Sequence, residues 1–113
     1  EGASITDGQT CPGSIHVSGA GRFSVVSSKW VAPGKRAGLV QVAQDGWVVP
    51  HLNSRAYMAS NCTAGSYDNS QYAALKLLGK TLKYTTDVST TGCGCMASLS
   101  LLPLRESTRA TKC

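Results

Sequence analysis

Acidic residues are scarce in this chain. Only Glu1, Asp7, Asp45, Asp68, Asp87 and Glu106 among 113 residues carry a carboxyl side chain. No two of them stand close together in sequence, so no single strand or helix presents a pair of carboxylates for acid–base work. Long Ala/Glu/Lys/Leu runs are missing, which argues against a helical protein. There is no apolar run long enough to span a membrane and no signal-peptide pattern. The chain opens at Glu1 with small polar residues, as a processed mature protein is expected to. Paired Cys-x-x-C spacing is absent, and His16 and His51 do not sit at ligand spacing, which speaks against a structural metal. There is no Gly-x-Ser-x-Gly elbow for a serine hydrolase. Gly19-Ala20-Gly21 lacks the third spaced glycine and the following helix of a phosphate loop and reads as a hairpin turn. No cofactor is implied. The net charge of +5 comes from basic residues scattered along the chain, with no basic stripe interleaved with aromatics. Nucleic acid is therefore not an expected partner.

What is present in quantity is glycine, serine, threonine and cysteine. The length suits one domain, residues 1–113, with a loosely held polar tail at 105–113. Cys11, Cys62, Cys93, Cys95 and Cys113 are many for a cytosolic protein and fit disulfides formed in an oxidising compartment, hence a secreted chain. Five is odd, so one cysteine is left over. Cys93 and Cys95 are too close to bridge each other comfortably and are expected to take different partners. Cys113 ties down the tail, links two copies into a homo-oligomer, or marks a cut chain. Asn61-Cys62-Thr63 is a glycosylation sequon, with Asn61 as candidate acceptor, although a bridged Cys62 makes it a poor one.

Short alternating segments follow one another at spacings of about ten residues, the layout of a β-sandwich or barrel. Thr10-Cys11-Pro12-Gly13 reads as a turn. Strands are expected at Ser14–Ser18, Arg22–Ser27, Gly38–Ala43, Trp47–Pro50 and Ser54–Ala59. Ala32-Pro33-Gly34-Lys35 suits a type II bend, and Gln44-Asp45-Gly46 marks a hairpin. Ser60–Ser70 is a polar loop, and Gln71–Leu78 is read as a strand leading into the next. From Leu82 the alternation is strongest. Leu82, Tyr84, Thr86 and Val88 share one side, and after a cysteine-marked turn Cys95, Ala97, Leu99 and Leu101 share another. These two runs are expected to form a long hairpin or a sheet-to-sheet connection.

Part of this pattern resembles a known family. Ser54-Arg55-Ala56-Tyr57-Met58, then Leu77-Leu78-Gly79 through Asp87-Val88-Ser89, then Cys93-Gly94, follow in order and spacing a stretch of the family-seven glycoside hydrolases, the fungal-type cellobiohydrolases and endoglucanases. The likeness covers about residues 38–104. It implies an antiparallel β-sandwich of jelly-roll type. It also implies that Arg55 matches an arginine that contacts glucan. The family's retaining chemistry needs two carboxylates about 5–5.5 Å apart, carried on one strand as Glu-x-Asp-x-x-Glu. That triplet is absent here, Asp87 matches a non-catalytic position, and two further sugar-contacting positions of the family are Met96 and Ser100.

The chain is accordingly read as all-β, an antiparallel disulfide-stabilised sandwich, and as a binding protein rather than an enzyme. Its expected partner is a cell-wall polysaccharide of β-glucan or cellulose type. Exposed aromatics stack on pyranose rings while amides and arginine hydrogen-bond the hydroxyls. The candidate contacts are Arg55, Trp30, Tyr67 and Trp47. Trp30, beside Lys29 and a Pro-Gly turn, is the ring expected at the surface, with Tyr67 next. Trp47, within a strand, leans toward the core. Two alternatives stand beside this reading: an extracellular assembly subunit joined through Cys113 or a strand edge, and a fragment of a family-seven-like hydrolase.

Overall fold

Val25 and Val26 sit side by side in the segment Arg22–Ser27, so in a strand they point to opposite faces. The computed structural model, which describes residues 9–65 and 69–102, buries both of them to 2% exposure. The strand that carries them is therefore covered on both sides. Among the described residues the strands are, in chain order, β1 (Gln9–Val17), β2 (Gly21–Ser28), β3 (Trp30–Ala32), β4 (Lys35–Arg36), β5 (Val40–Val42), β6 (Val48–Pro50) and β7 (Ala56–Ala59). A 3-10 turn spans Asn69–Gln71, and the described residues contain no α-helix. Every strand pair is antiparallel. The structure is nearly all β, as the composition implies.

β2 is the centre of a three-stranded sheet in the order β1-β2-β7, while β3 pairs with β4 and β5 with β6. The register sets Val25 between Gly13 and Met58 on one face, and Val26 beside Tyr57 on the other. On the Val25 face, β5 lies against β1. A Cβ placed on Gly13 would stand 2.9 Å from the Cβ of Val42, so the missing side chain is what lets the two strands approach. On the Val26 face, Tyr57 meets Tyr72 edge to face with ring centroids 4.9 Å apart, and its hydroxyl donates to Gln9 Oε1. Among the described residues the buried apolar ones are Val25, Val26, Val40 and Ala59. Each valine contributes about 1.5–3 kcal/mol on burial, which makes this a small core.

Local chemistry explains the connections. Gly19-Ala20-Gly21 turns β1 into β2, with Gly19 at φ +81° and Ala20 N–H donating to Val17 O at 3.0 Å. Pro33-Gly34 joins β3 to β4, and Gly34 at φ +71° fits the third position of a type II turn. Asp45-Gly46 joins β5 to β6. The Gly46 N–H donates to Ala43 O at 3.0 Å, and the Ala43 N–H to Trp47 O at 2.8 Å. Backbone bonds extend each pairing past the ends of its strands. Ser28 N–H donates to Arg55 O, Ala37 N–H to Lys29 O, Gly38 N–H to Asn53 O and His51 N–H to Leu39 O.

Cys11 and Cys62 form a disulfide with Cα atoms 5.9 Å apart. It joins β1 to the segment that follows β7 and so clamps the two outer strands of the sheet across β2. Gly65 N–H adds a bond to Gln9 O at 3.1 Å beside it. Closing a loop of 51 residues removes about 4 kcal/mol of chain entropy from the unfolded state.

Three segments differ from the sequence expectation. Thr10–Gly13 is not a turn. It lies inside β1, where the register shifts between Thr10 and Gly13, so Cys11 and Pro12 form a bulge in an outer strand. Gln71–Leu78 is not a strand. Ser60 N–H donates to Gln71 O and Ala73 N–H to Met58 O, with one bridge between Ala59 and Tyr72, and the segment leaves β7 after Ala73. The third difference is the largest. The chain divides into two compact units, with a boundary between Ala74 and Leu75, and the second unit has no strand among its described residues. Leu82–Val88 and Met96–Leu102 alternate in sequence but no neighbouring strand takes up their amides. Alternation describes two side-chain faces; a ladder also needs a partner backbone. Three turns punctuate this unit instead, closed by Lys80 N–H to Leu77 O, Thr91 N–H to Val88 O and Cys95 N–H to Gly92 O. The expected tail at 105–113 lies outside the described residues.

Two stability outcomes follow from this arrangement. Replacing Cys11 and Cys62 by serine together lowers unfolding free energy by about 2–5 kcal/mol in urea titration; an unchanged midpoint would show that the small core holds the sheet unaided. Gly38→Ala puts a Cβ about 2.0 Å from Leu52 O, where backbone has to move. It costs about 1–3 kcal/mol, whereas Gly34→Ala, whose added Cβ meets nothing, is limited to conformational strain of about 1 kcal/mol.

Candidate functional site

The β5–β6 hairpin presents the most distinctive surface. Its register pairs Val40 with Pro50, Gln41 with Val49 and Val42 with Val48. Val42 faces Gly13, so Val40, Val42, Val48 and Pro50 form the side turned toward β1. Leu39, Gln41, Val49 and His51 fall on the outward side, and Trp47 joins them across the hairpin from Ala43. All five are exposed, Trp47 at 44% and Leu39 at 61%. Gln41 Oε1 and His51 Nε2 are 2.9 Å apart, so a hydrogen-bonded polar pair crosses the hairpin. Asp45 Oδ1 accepts from Trp47 N–H at 3.4 Å, which helps fix the backbone that carries the indole. The hairpin also borders a shallow groove of about 410 Å³, walled by Thr10, Cys11 and Pro12 of β1 and by Leu39 with Val40, Gln41 and Val42 of β5. Gln41 thus stands at the edge of both the groove and the outward platform.

The structure distributes the expected contact residues over separate elements. Trp30 is half-buried on β3, and the Arg36 guanidinium sits 5.5 Å over its ring, a cross-strand cation–π pair. That face of the indole is already occupied by the protein. The surface ranking expected from sequence is therefore reversed: Trp47 is the open ring and Trp30 the covered one. The reason is the hairpin turn, which sets Trp47 on the strand side that faces away from β1. Arg55 is exposed just ahead of β7, where its carbonyl accepts from Ser28 N–H at 3.1 Å. Tyr57 and Tyr72 are half-buried and pack against each other. Tyr84 is exposed, in the second unit. Tyr67 and Cys113 lie outside the described residues. Asn61 is exposed, its side-chain oxygen accepts from Cys62 N–H at 2.9 Å, and Cys62 is bridged to Cys11. Cys93 and Cys95 are both free thiols on the surface, and neither takes the partner expected from sequence.

Gln41 and His51 were not picked out by sequence reasoning. Their signal is the two-residue alternation on either side of Asp45-Gly46, which sets them on the same side as Trp47 once the hairpin register is known. Among the described residues no group of three or more His, Cys, Asp or Glu side chains is placed to hold a metal ion. The carboxylates of Asp45 and Asp87 each accept from a backbone N–H two residues ahead. Comparison with protein-family models, with curated proteins and with solved structures finds no match to this chain.

Asp87 is held below the usual aspartate pKa, first by the Ser89 hydroxyl and then by the Ser89 N–H, which donates to Asp87 Oδ1 at 2.9 Å. A depressed carboxyl means that the ionised form is the one the turn favours. The support it gives the turn is present above the ordinary aspartate value and is lost as pH falls through the lowered one. Ser89→Ala removes the leading cause, so carboxyl-resolved NMR titration is expected to show Asp87 moving upward toward the ordinary value. An Asp87 that already titrates there in the unaltered chain would contradict this.

Proposed function

We propose that this chain is a secreted, non-catalytic β-protein that binds a cell-wall polysaccharide of β-glucan or cellulose type through the outward side of the β5–β6 hairpin. The observation that carries the reading is Trp47, an exposed indole braced on a tight hairpin with a hydrogen-bonded Gln41–His51 pair on the same side. A pyranose ring has one apolar C–H face and a rim of hydroxyls. The indole supplies area for the first, and the amide and imidazole supply donors and acceptors for the second. The disulfide is compatible with secretion, and the partial likeness to family-seven hydrolases without their carboxylate triplet favours binding over cleavage. The antiparallel pairing throughout, and β5 lying on one face of the main sheet, support a jelly-roll sandwich as the finer architecture. Arg55 enters as a contact through that likeness alone.

A second reading has its own support. Leu39, Val49 and Leu52 are exposed along the same hairpin and the turn after it, which also suits burial against another copy in an assembly. Pull-down on insoluble cellulose and β-glucan separates the two. The glycan reading expects retention that drops about tenfold, equivalent to about 1.4 kcal/mol, in Trp47→Ala and stays near the parent level in Trp30→Ala. No retention on any glycan, together with a concentration-dependent dimer in sedimentation, would replace it by the assembly reading.

A further inference from the structure

Gly92-Cys93-Gly94-Cys95 is a single four-residue turn, closed by Cys95 N–H to Gly92 O at 3.3 Å. Gly94 holds its third position at φ +81°, a conformation in which a side chain is strained. The turn therefore displays two cysteines on either side of a bare glycine, and both are exposed free thiols. Met96 follows at 88% exposure, an unpacked thioether. Cys95 and Met96 both line a second shallow groove, also of about 410 Å³, together with Val88, Thr91, Gly92 and Ala97. The Cys95 sulfur lies 4.0 Å from where a Cβ on Gly92 would stand, so it is folded back over the turn.

We propose that this turn is a binding site for a soft monovalent cation, Cu(I), held by the thiolates of Cys93 and Cys95 with the Met96 thioether beside them. The donor set selects the ion. Zinc in structural sites takes four N, S or O ligands, and no third His, Cys, Asp or Glu is placed to join these two thiols among the described residues. Calcium and magnesium require oxygen donors. Two thiolates and a thioether are the soft ligands that favour Cu(I). A direct disulfide between residues two apart is a strained alternative, whereas a metal ion bridges two sulfurs at a wider separation. Binding moves no electrons. Each thiol releases its proton to solvent, each sulfur donates a pair to the metal, and Cu(I) remains Cu(I), so affinity falls as pH is lowered. The site belongs to the second unit and does not rest on the glycan reading.

The test uses the full chain carrying Cys113→Ser, so that with Cys11–Cys62 intact a colorimetric thiol reagent counts the two thiols of Cys93 and Cys95. It is titrated without oxygen with Cu(I) in competition with a chromophoric Cu(I) chelator. One Cu(I) per chain is expected to be withheld from the chelator, and acidification is expected to release it. Cys93→Ser and Cys95→Ser each bring retention to baseline, and Met96→Leu weakens it by roughly tenfold. All three side chains are exposed, so an unchanged circular dichroism spectrum is expected in every variant. The proposal is overturned if the parent chain withholds no Cu(I). Equal retention by the Cys93→Ser/Cys95→Ser double variant, or equally tight retention of Zn(II), overturns it as well.

Discussion

The Cys11–Cys62 bond is the constraint on which the sheet depends. With four buried apolar residues among those described, two of them on one strand, the core supplies little against the conformational entropy of the chain. The disulfide offsets that deficit in the unfolded state and not through contact area. Its position matters as much as its energy. It links the bulge of β1 to Cys62, three residues beyond β7, so the two strands that flank β2 stay joined across it. The Cys11–Pro12 bulge bends β1, and the next residue, Gly13, has no side chain where Val42 comes in, which seats the β5–β6 hairpin on the sheet. One covalent clamp, one bulge and one missing Cβ thus set where the outward platform stands.

Turns were the most legible part of the sequence because turn residues act locally. Pro33-Gly34, Asp45-Gly46 and Gly19-Ala20-Gly21 each dictate their own φ values and need nothing from the rest of the chain. The strands next to them follow, since a tight turn between two apolar segments fixes their register. The cysteine pairing was not legible. Four or five cysteines admit several connectivities, and only the β1-β2-β7 order brings Cys11 near Cys62. The double burial of Val25 and Val26 was equally hidden, because it depends on β5 covering one face and Tyr57 with Tyr72 occupying the other.

The segment from Leu75 onward shows where a local pattern runs out. Leu82, Tyr84, Thr86 and Val88 alternate as well as any strand in the first unit, yet Tyr84 and Val88 are more than half exposed and no ladder forms. Glycines intervene instead. Gly79 and Gly94 take left-handed φ angles of +72° and +81°, and both lie in turns. The motif Leu77-Leu78-Gly79, which carries much of the likeness to the hydrolase family, is here a turn with Leu78 fully exposed. A shared string of residues fixes side-chain order. It does not by itself supply the neighbouring strand that would turn the order into a sheet.

The placement of Trp47 is the last step that joins fold to function. An indole is the largest apolar side chain available, and a chain so short of buried area gains most by enclosing it. Here the Asp45-Gly46 turn sets it on the far side of a hairpin whose near side is already filled by Val40 and Val42. Trp30, on a neighbouring hairpin, is half-buried and capped by Arg36, whereas Trp47 keeps 44% of its surface exposed. Leaving one ring open, on rigid backbone and beside a preformed amide–imidazole pair, forgoes stabilisation that the core lacks. That is the arrangement expected of a recognition surface, where the area withheld from folding remains for a ligand to bury.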